Sequence, residues 1–157
     1  MHVVVATDGS PQSLAAAHHL RSFADPQKIT GISVVAVIRP LASVAFADEI
    51  SETEQRGEGT LSFREAAQGA VDAVAATFDG WGPPVDRQIR SGSPAAEIIK
   101  AAEQYDAGLV VVAAGGRGIT DAVLIGSTAQ RVQHYAPCPV LVVRPAPRKK
   151  KTARKKG

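Results

Sequence analysis

Apolar residues along this chain fall into short β-branched runs separated by stretches with helical spacing, and the alternation is regular. The first run, Val3-Val4-Val5-Ala6-Thr7, predicts a buried strand. Ser10 then supplies a cap and Pro11 a first-turn proline for a helix whose apolar positions are Leu14, Ala15, Ala17, Leu20 and Phe23. Ile32 to Ile38, almost continuously β-branched, predicts a second strand. After Arg39-Pro40 a mixed segment shows no clear period. An Ala-, Glu- and Gln-rich stretch from about Glu54 to Phe78 then predicts a long helix, which Gly80-Trp81-Gly82-Pro83-Pro84 ends.

The second half repeats the scheme. Val85 to Arg90 alternates apolar and polar residues, which predicts a strand at a sheet edge. Ser93 caps a third helix with Pro94 at its first position and Ala95, Ile98, Ile99 and Ala102 turned inward. Gly108 to Ala114 predicts the fourth strand, Ser127 to Tyr135 a fourth helix, and Pro139 to Val143 the fifth strand. A repeating βα order predicts an α/β fold, an open parallel sheet with helices on both faces, and right-handed crossovers leave few topologies for it.

With 45% hydrophobic and 21% charged residues in 157, the chain is expected to form one globular domain large enough to bury a core. No apolar run approaches the ~18 residues of a membrane span. The chain enters its first strand without a basic leader, so a cytoplasmic protein is expected. The lone Cys138 excludes an intrachain disulfide and a CxxC site, and reads as a small apolar group beside the last strand.

Charge divides the chain in two. The formal net charge is +3, but Arg148, Lys149, Lys150, Lys151, Arg154, Lys155 and Lys156 all lie in the last ten residues. Without them 11 basic residues face 15 acidic ones, and the body is near −4. The expected boundary places a domain over 1–146 and a disordered basic tail over 147–157. Such a tail is either a solvated solubility segment or a weak, salt-sensitive contact for nucleic acid or another polyanion.

Candidate chemistry gathers at two glycine-containing segments. Leu109 to Ala114 is an apolar run that ends in Gly115-Gly116-Arg117-Gly118, and Gly126-Ser127 opens the next helix. Glycines let backbone approach a ligand closely, and uncovered N–H groups at a helix start favour an anion. Neither Gly-x4-Gly-Lys-Ser/Thr nor a complete Gly-x-Gly-x-x-Gly is present, so a plain strand-to-helix turn stands as the other reading. If the strand order is 3-2-1-4-5, it reverses between the first and fourth strands, where ligands bind beyond the carboxyl ends. Ala6-Thr7-Asp8-Gly9-Ser10 and Ala114-Gly115-Gly116-Arg117-Gly118 meet there. Asp8 either accepts from a ribose or holds a metal near phosphate, or else organises the Asp8-Gly9 turn. Arg117 either neutralises phosphate or is a solvated loop cation.

These residues carry a family resemblance. Val4-Val5-Ala6-Thr7-Asp8-Gly9-Ser10, Gly92-Ser93-Pro94-Ala95, Gly115-Gly116-Arg117-Gly118 with Gly126-Ser127, and Ala136-Pro137-Cys138-Pro139-Val140-Leu141-Val142-Val143 together resemble a single-domain universal stress protein over about residues 2 to 145. The resemblance implies a Rossmann-like five-stranded sheet and a homodimer paired through the last strand, Val140, Leu141, Val142 and Val143. In one branch it also implies an ATP site, with Mg2+ as companion or other adenine nucleotides as alternatives. There the first-strand aspartate matches Asp8 beside Ala6 and Thr7, and an adenine-bordering valine matches Val37. A Gly-x2-Gly-x9-Gly-Ser/Thr loop matches Gly115, Gly118, Gly126 and Ser127, with Ala114, Arg117 and Thr128 alongside. One departure stands out: seven residues, Ile119 to Ile125, separate Gly118 from Gly126 where the pattern has nine. Such a trim shortens an exposed loop tip or shifts the helix start.

No catalytic constellation accompanies the loop. His2, His18, His19 and His134 lack metal-ligand spacing, and the sequence puts none beside a Ser or Cys nucleophile. His18 and His19 read as a helix surface or a core edge, and His134 as a dipole contact near a helix end. The expectation is a nucleotide-binding stress-response switch rather than an enzyme. A dimeric interaction scaffold without nucleotide is the alternative, and slow ATP hydrolysis ranks below both.

Overall fold

Val5 is flanked on one side by Val34 and on the other by Val111, and this pairing of β-branched residues is the centre of the molecule. The computed structural model describes residues 1–40, 52–115 and 126–145, with backbone alone over 52–61. The strands are β1 (His2–Thr7), β2 (Gly31–Ile38), β3 (Val85–Ser91), β4 (Ala107–Ala113) and β5 (Val140–Val143). They form one sheet in the order β3-β2-β1-β4-β5, with every neighbouring pair parallel. The helices are α1 (Pro11–Phe23), α2 (Glu52–Ala76), α3 (Pro94–Gln104) and α4 (Ser127–Tyr135). The expected α/β class, strand order and two-sided helix cover are therefore present.

Alternation along β1 divides the core. Val3 and Val5 face α1 and α2, joining Leu20, Val71, Val74 and Phe78 in one buried cluster. Val4 and Ala6 face the other way, joining Ile98, Ala102, Ala129 and Val132 of α3 and α4. Burial of whole Val and Leu side chains at about 1.5–3 kcal/mol each makes these two layers the main stabilising element. β3 lies at one edge, as its alternating pattern predicts, and none of its residues is fully buried.

Local signals set most boundaries. Ser10 Oγ accepts from the Ser13 backbone N–H at 3.2 Å and caps α1, with Pro11 as first residue. At the far end of α2, Arg21 of α1 donates to the Thr77 carbonyl. Phe78, expected inside the helix, sits two residues past its end and stacks on Trp81 with ring centroids 5.6 Å apart.

Three expected details differ. The inner face of α1 is Ser13, Ala16, Ala17 and Leu20, while Ala15 and Phe23 are exposed. Ser13 belongs on that face because its hydroxyl bonds to Thr7 Oγ1 and the Ser10 carbonyl, both at 2.8 Å, so a polar residue takes an inward position. Ile99 is only partly buried. Ser93 occupies the cap position of α3 but its side chain makes no capping bond.

Cys138 is half-buried against the α3–α4 core, as expected, and burial pushes its thiol pKa up. No helix among the described residues is long and apolar enough to cross a membrane. Residues 146–157, including the basic run, lie outside the described residues.

Candidate functional site

The β1–α1 turn is built by its own side chains. Thr7 Oγ1 accepts from the Gly9 N–H at 3.1 Å, and Asp8 Oδ1 accepts from the Ser10 N–H at 2.9 Å. Gly9 has φ +78°, a left-handed conformation that suits glycine, and its Cα lies close to α2: a Cβ added there would sit 3.6 Å from that of Ala70. Thr7 and Ser10 are buried and Asp8 is exposed. The turn-organising reading of Asp8 therefore holds, and it leaves the carboxylate at the surface in a fixed orientation.

Beside this turn opens a cleft of about 620 Å³, bounded by the carboxyl ends of β1 and β2, the start of α1, and α2. Thr7, Asp8 and Val37, three of the residues singled out in the sequence, line it. Ala6 lies below them in the α3–α4 core. The opposite wall was not read from the sequence: Phe63, Ala66, Ala67, Gly69, Ala70 and Ala73 of α2 form it, with Arg39 at the end of β2. The sequence marks this face only by small residues at three- and four-residue spacing, which do not say what the face meets.

The β4 segment stands next to β1, and none of its described residues lines that cleft. Ala114 is buried and donates its N–H to the Val143 carbonyl at 2.8 Å, and Gly115 turns the chain with φ +95°. Gly126 takes the cap position of α4, with Ser127 exposed and Thr128 half-buried at the first turn. In a parallel sheet, helix starts and strand carboxyl ends share one side, so Asp8, Gly115 and Ser127 rise from the same end of the molecule. Gly116, Arg117 and Gly118 lie outside the described residues.

A second polar group sits at the opposite end of the strands. His2 Nε2 and Ser33 Oγ are 2.8 Å apart, and the imidazole stacks on Tyr105 at 4.7 Å. Tyr105 donates to Asp86 at 3.0 Å. Burial lowers the His2 pKa, opposed by the Asp86 charge and aided by the amino terminus. Burial also raises that of Tyr105, assisted by Asp86. On the β3–α3 side Arg90 and Lys100 hold Glu97 below the usual carboxylate range, through bonds of 3.0 and 3.1 Å. His18, His19 and His134 are exposed, His134 lying edge-on to Tyr135. No group of three metal-ligating side chains occurs among the described residues.

A family model described as the universal stress protein family matches residues 1–144. Universal stress protein MJ0531 of Methanocaldococcus jannaschii is 34% identical over 146 residues, covering 90% of this chain and 81% of that protein. Among solved structures, hypothetical protein MJ0577 superposes with a TM-score of 0.78 at 24% identity, covering 93% of this chain and 96% of its own. A universal stress protein solved in complex with cAMP superposes with a TM-score of 0.61 at 22% identity, over 92% and 96% of the two chains. At such identities these two structures establish likeness of fold.

Proposed function

This chain belongs to the universal stress protein family, and from that premise we propose that it binds an adenine nucleotide, ATP above others, and acts in the cytoplasm as a nucleotide-dependent switch in the stress response. The observation that carries this reading is the cleft at the carboxyl end of β1 and β2, with the fixed Asp8 carboxylate and the Val37 side chain in its wall. Its volume falls in the range of small-molecule sites, and its apolar walls with few polar groups suit a nucleoside. A fold neighbour solved with cAMP supports the same ligand class.

In this reading Asp8 accepts from ribose, and Thr7 and Val37 border the nucleoside. Backbone N–H groups of Gly115, Gly126 and Ser127, with the Thr128 hydroxyl, serve the phosphates, and the α4 dipole favours their charge. Gly118 and Arg117 complete the phosphate loop. Mg2+ would travel with the phosphates and neutralise part of their charge. A switch requires that nucleotide bind one conformation better than another, or bind a partner-competent form preferentially. Two copies pair through β5, and the basic tail makes weak, salt-sensitive contacts with polyanions.

Thermal unfolding against ATP concentration tests the proposal. Ligand that binds only folded protein stabilises it by about 2.7 kcal/mol at one hundred times Kd, so the midpoint must climb with ATP. No shift at millimolar ATP with Mg2+, together with no nucleotide released from the purified protein, would favour the scaffold reading.

A further inference from the structure

Four large apolar side chains stand exposed among the described residues: Met1, Phe23, Phe63 and Tyr135. Phe23 packs on His19 and Tyr135 on His134. Phe63 differs. It is 50% exposed and lines the 620 Å³ cleft that Asp8 and Val37 also line. An aromatic face left half in water at the wall of an apolar cleft is a surface for a flat partner.

The chemistry of the remaining wall narrows what that partner is. Ala66, Ala67 and Ala70 continue the Phe63 side of α2 with side chains too small to fill the space, so the slot stays open. The hydroxyls of Thr7 and Ser10 are already engaged within the β1–α1 turn. The wall therefore offers a planar group stacking and apolar contact, with the Asp8 carboxylate beside it for a hydroxylated neighbour. A nucleobase joined to a ribose has that division of character.

Resting on the nucleotide reading above, we propose that Phe63 is the base-recognition residue of this site: its ring stacks on the nucleobase, and the alanine side of α2 leaves the clearance for it. Phe63 thereby makes the site prefer nucleotides over base-free polyphosphates. Recognition by a π-face is tolerant of base identity, since every base has one.

Titration of the full-length protein with ATP and with inorganic tripolyphosphate tests this. Phe63→Leu keeps an apolar side chain but removes the π-face, and should weaken ATP by about tenfold, the usual scale for one stacked base. Phe63→Tyr should bind ATP as the wild type does. Tripolyphosphate affinity should be the same in all three proteins. Because Phe63 is half-exposed, these variants should keep the wild-type melting temperature. Ala67→Leu, which fills the slot from α2, should also weaken ATP and spare tripolyphosphate.

Wild type that binds ATP with Phe63→Leu equal to it overturns the role of Phe63 and leaves the nucleotide reading standing. Equal loss of ATP and tripolyphosphate in Phe63→Leu also overturns that role. Wild type that binds no nucleotide at millimolar concentration overturns both.

Discussion

Asp8 Oδ1 accepts the Ser10 backbone N–H at 2.9 Å, so one carboxylate oxygen is committed to the turn that starts α1. The two roles read for Asp8 in the sequence are compatible, because one oxygen is held by the turn while the exposed side chain lines the cleft. Such a carboxylate needs little reorganisation to meet a hydroxyl, which is what preorganisation contributes to affinity.

The two roles separate by substitution. Asp8→Asn retains an oxygen acceptor for the Ser10 N–H and removes the charge, so its stability should stay near wild type. Asp8→Ala loses the acceptor as well and should cost about 1 kcal/mol of stability. Both should lose tenfold or more in ATP affinity, since a hydrogen bond to a charged group is worth roughly 1.5–3 kcal/mol. Calorimetric titration alongside urea unfolding checks this. Unchanged ATP affinity in Asp8→Asn would confine Asp8 to the turn.

Why the sheet was legible and one wall of the cleft was not is a matter of where the information lies. Val3 to Val5, Val34 to Val37 and Leu109 to Val112 are β-branched or apolar without interruption, the pattern of a strand buried on both faces. Ser10-Pro11 and Gly126-Ser127 mark helix starts by local chemistry, and both begin where they indicate. The α2 wall depends instead on docking. Alanine favours a helix whether or not it faces anything, so Ala66, Ala67 and Ala70 carry no sign of direction until Gly9 lets the β1–α1 turn come up against Ala70. Phe23 and Phe63 look alike in sequence, yet one meets His19 on the surface and the other lines the cleft. Apolar counting also misses Ser13, whose inward position follows from its bond to Thr7, a partner on another element.

The His2 cluster makes stability depend on pH near neutrality. Burial holds the folded-state pKa of His2 below the ordinary histidine value of 6.5, so the folded protein favours the neutral ring and the unfolded chain takes up the proton first. The contribution is then fully present above about 6.5 and is lost as pH falls through the folded-state value. Asp86 works against this shift and the amino terminus of Met1 works with it. Urea midpoints should fall between about pH 7.5 and about pH 5.5, and His2→Gln should flatten that part of the profile. A profile in His2→Gln as steep as in wild type would assign the dependence to other groups.

The open side of β5 gives the last prediction. β5 bonds to β4 along one edge, and all four of its residues are only half-buried. Val140 and Val142 pack toward the α3–α4 core, while Leu141 and Val143 pack toward the α1–α2 core. The strand thus has apolar side chains on both faces and, among the described residues, a free backbone edge, a combination that invites pairing with another strand. A two-fold mate closes it without leaving a further edge. Wild type should sediment as a dimer at high micromolar concentration. Val142→Lys should sediment as a monomer that still melts cooperatively, because a half-buried lysine can carry its charge out to water along its own stem. Val142→Ala removes apolar area without adding charge, and so separates a lost interface from a loosened core. Should wild type sediment as a monomer throughout that range, the β5 pairing is wrong; should Val142→Ala and Val142→Lys dissociate alike, loss of packing rather than charge at the edge governs assembly.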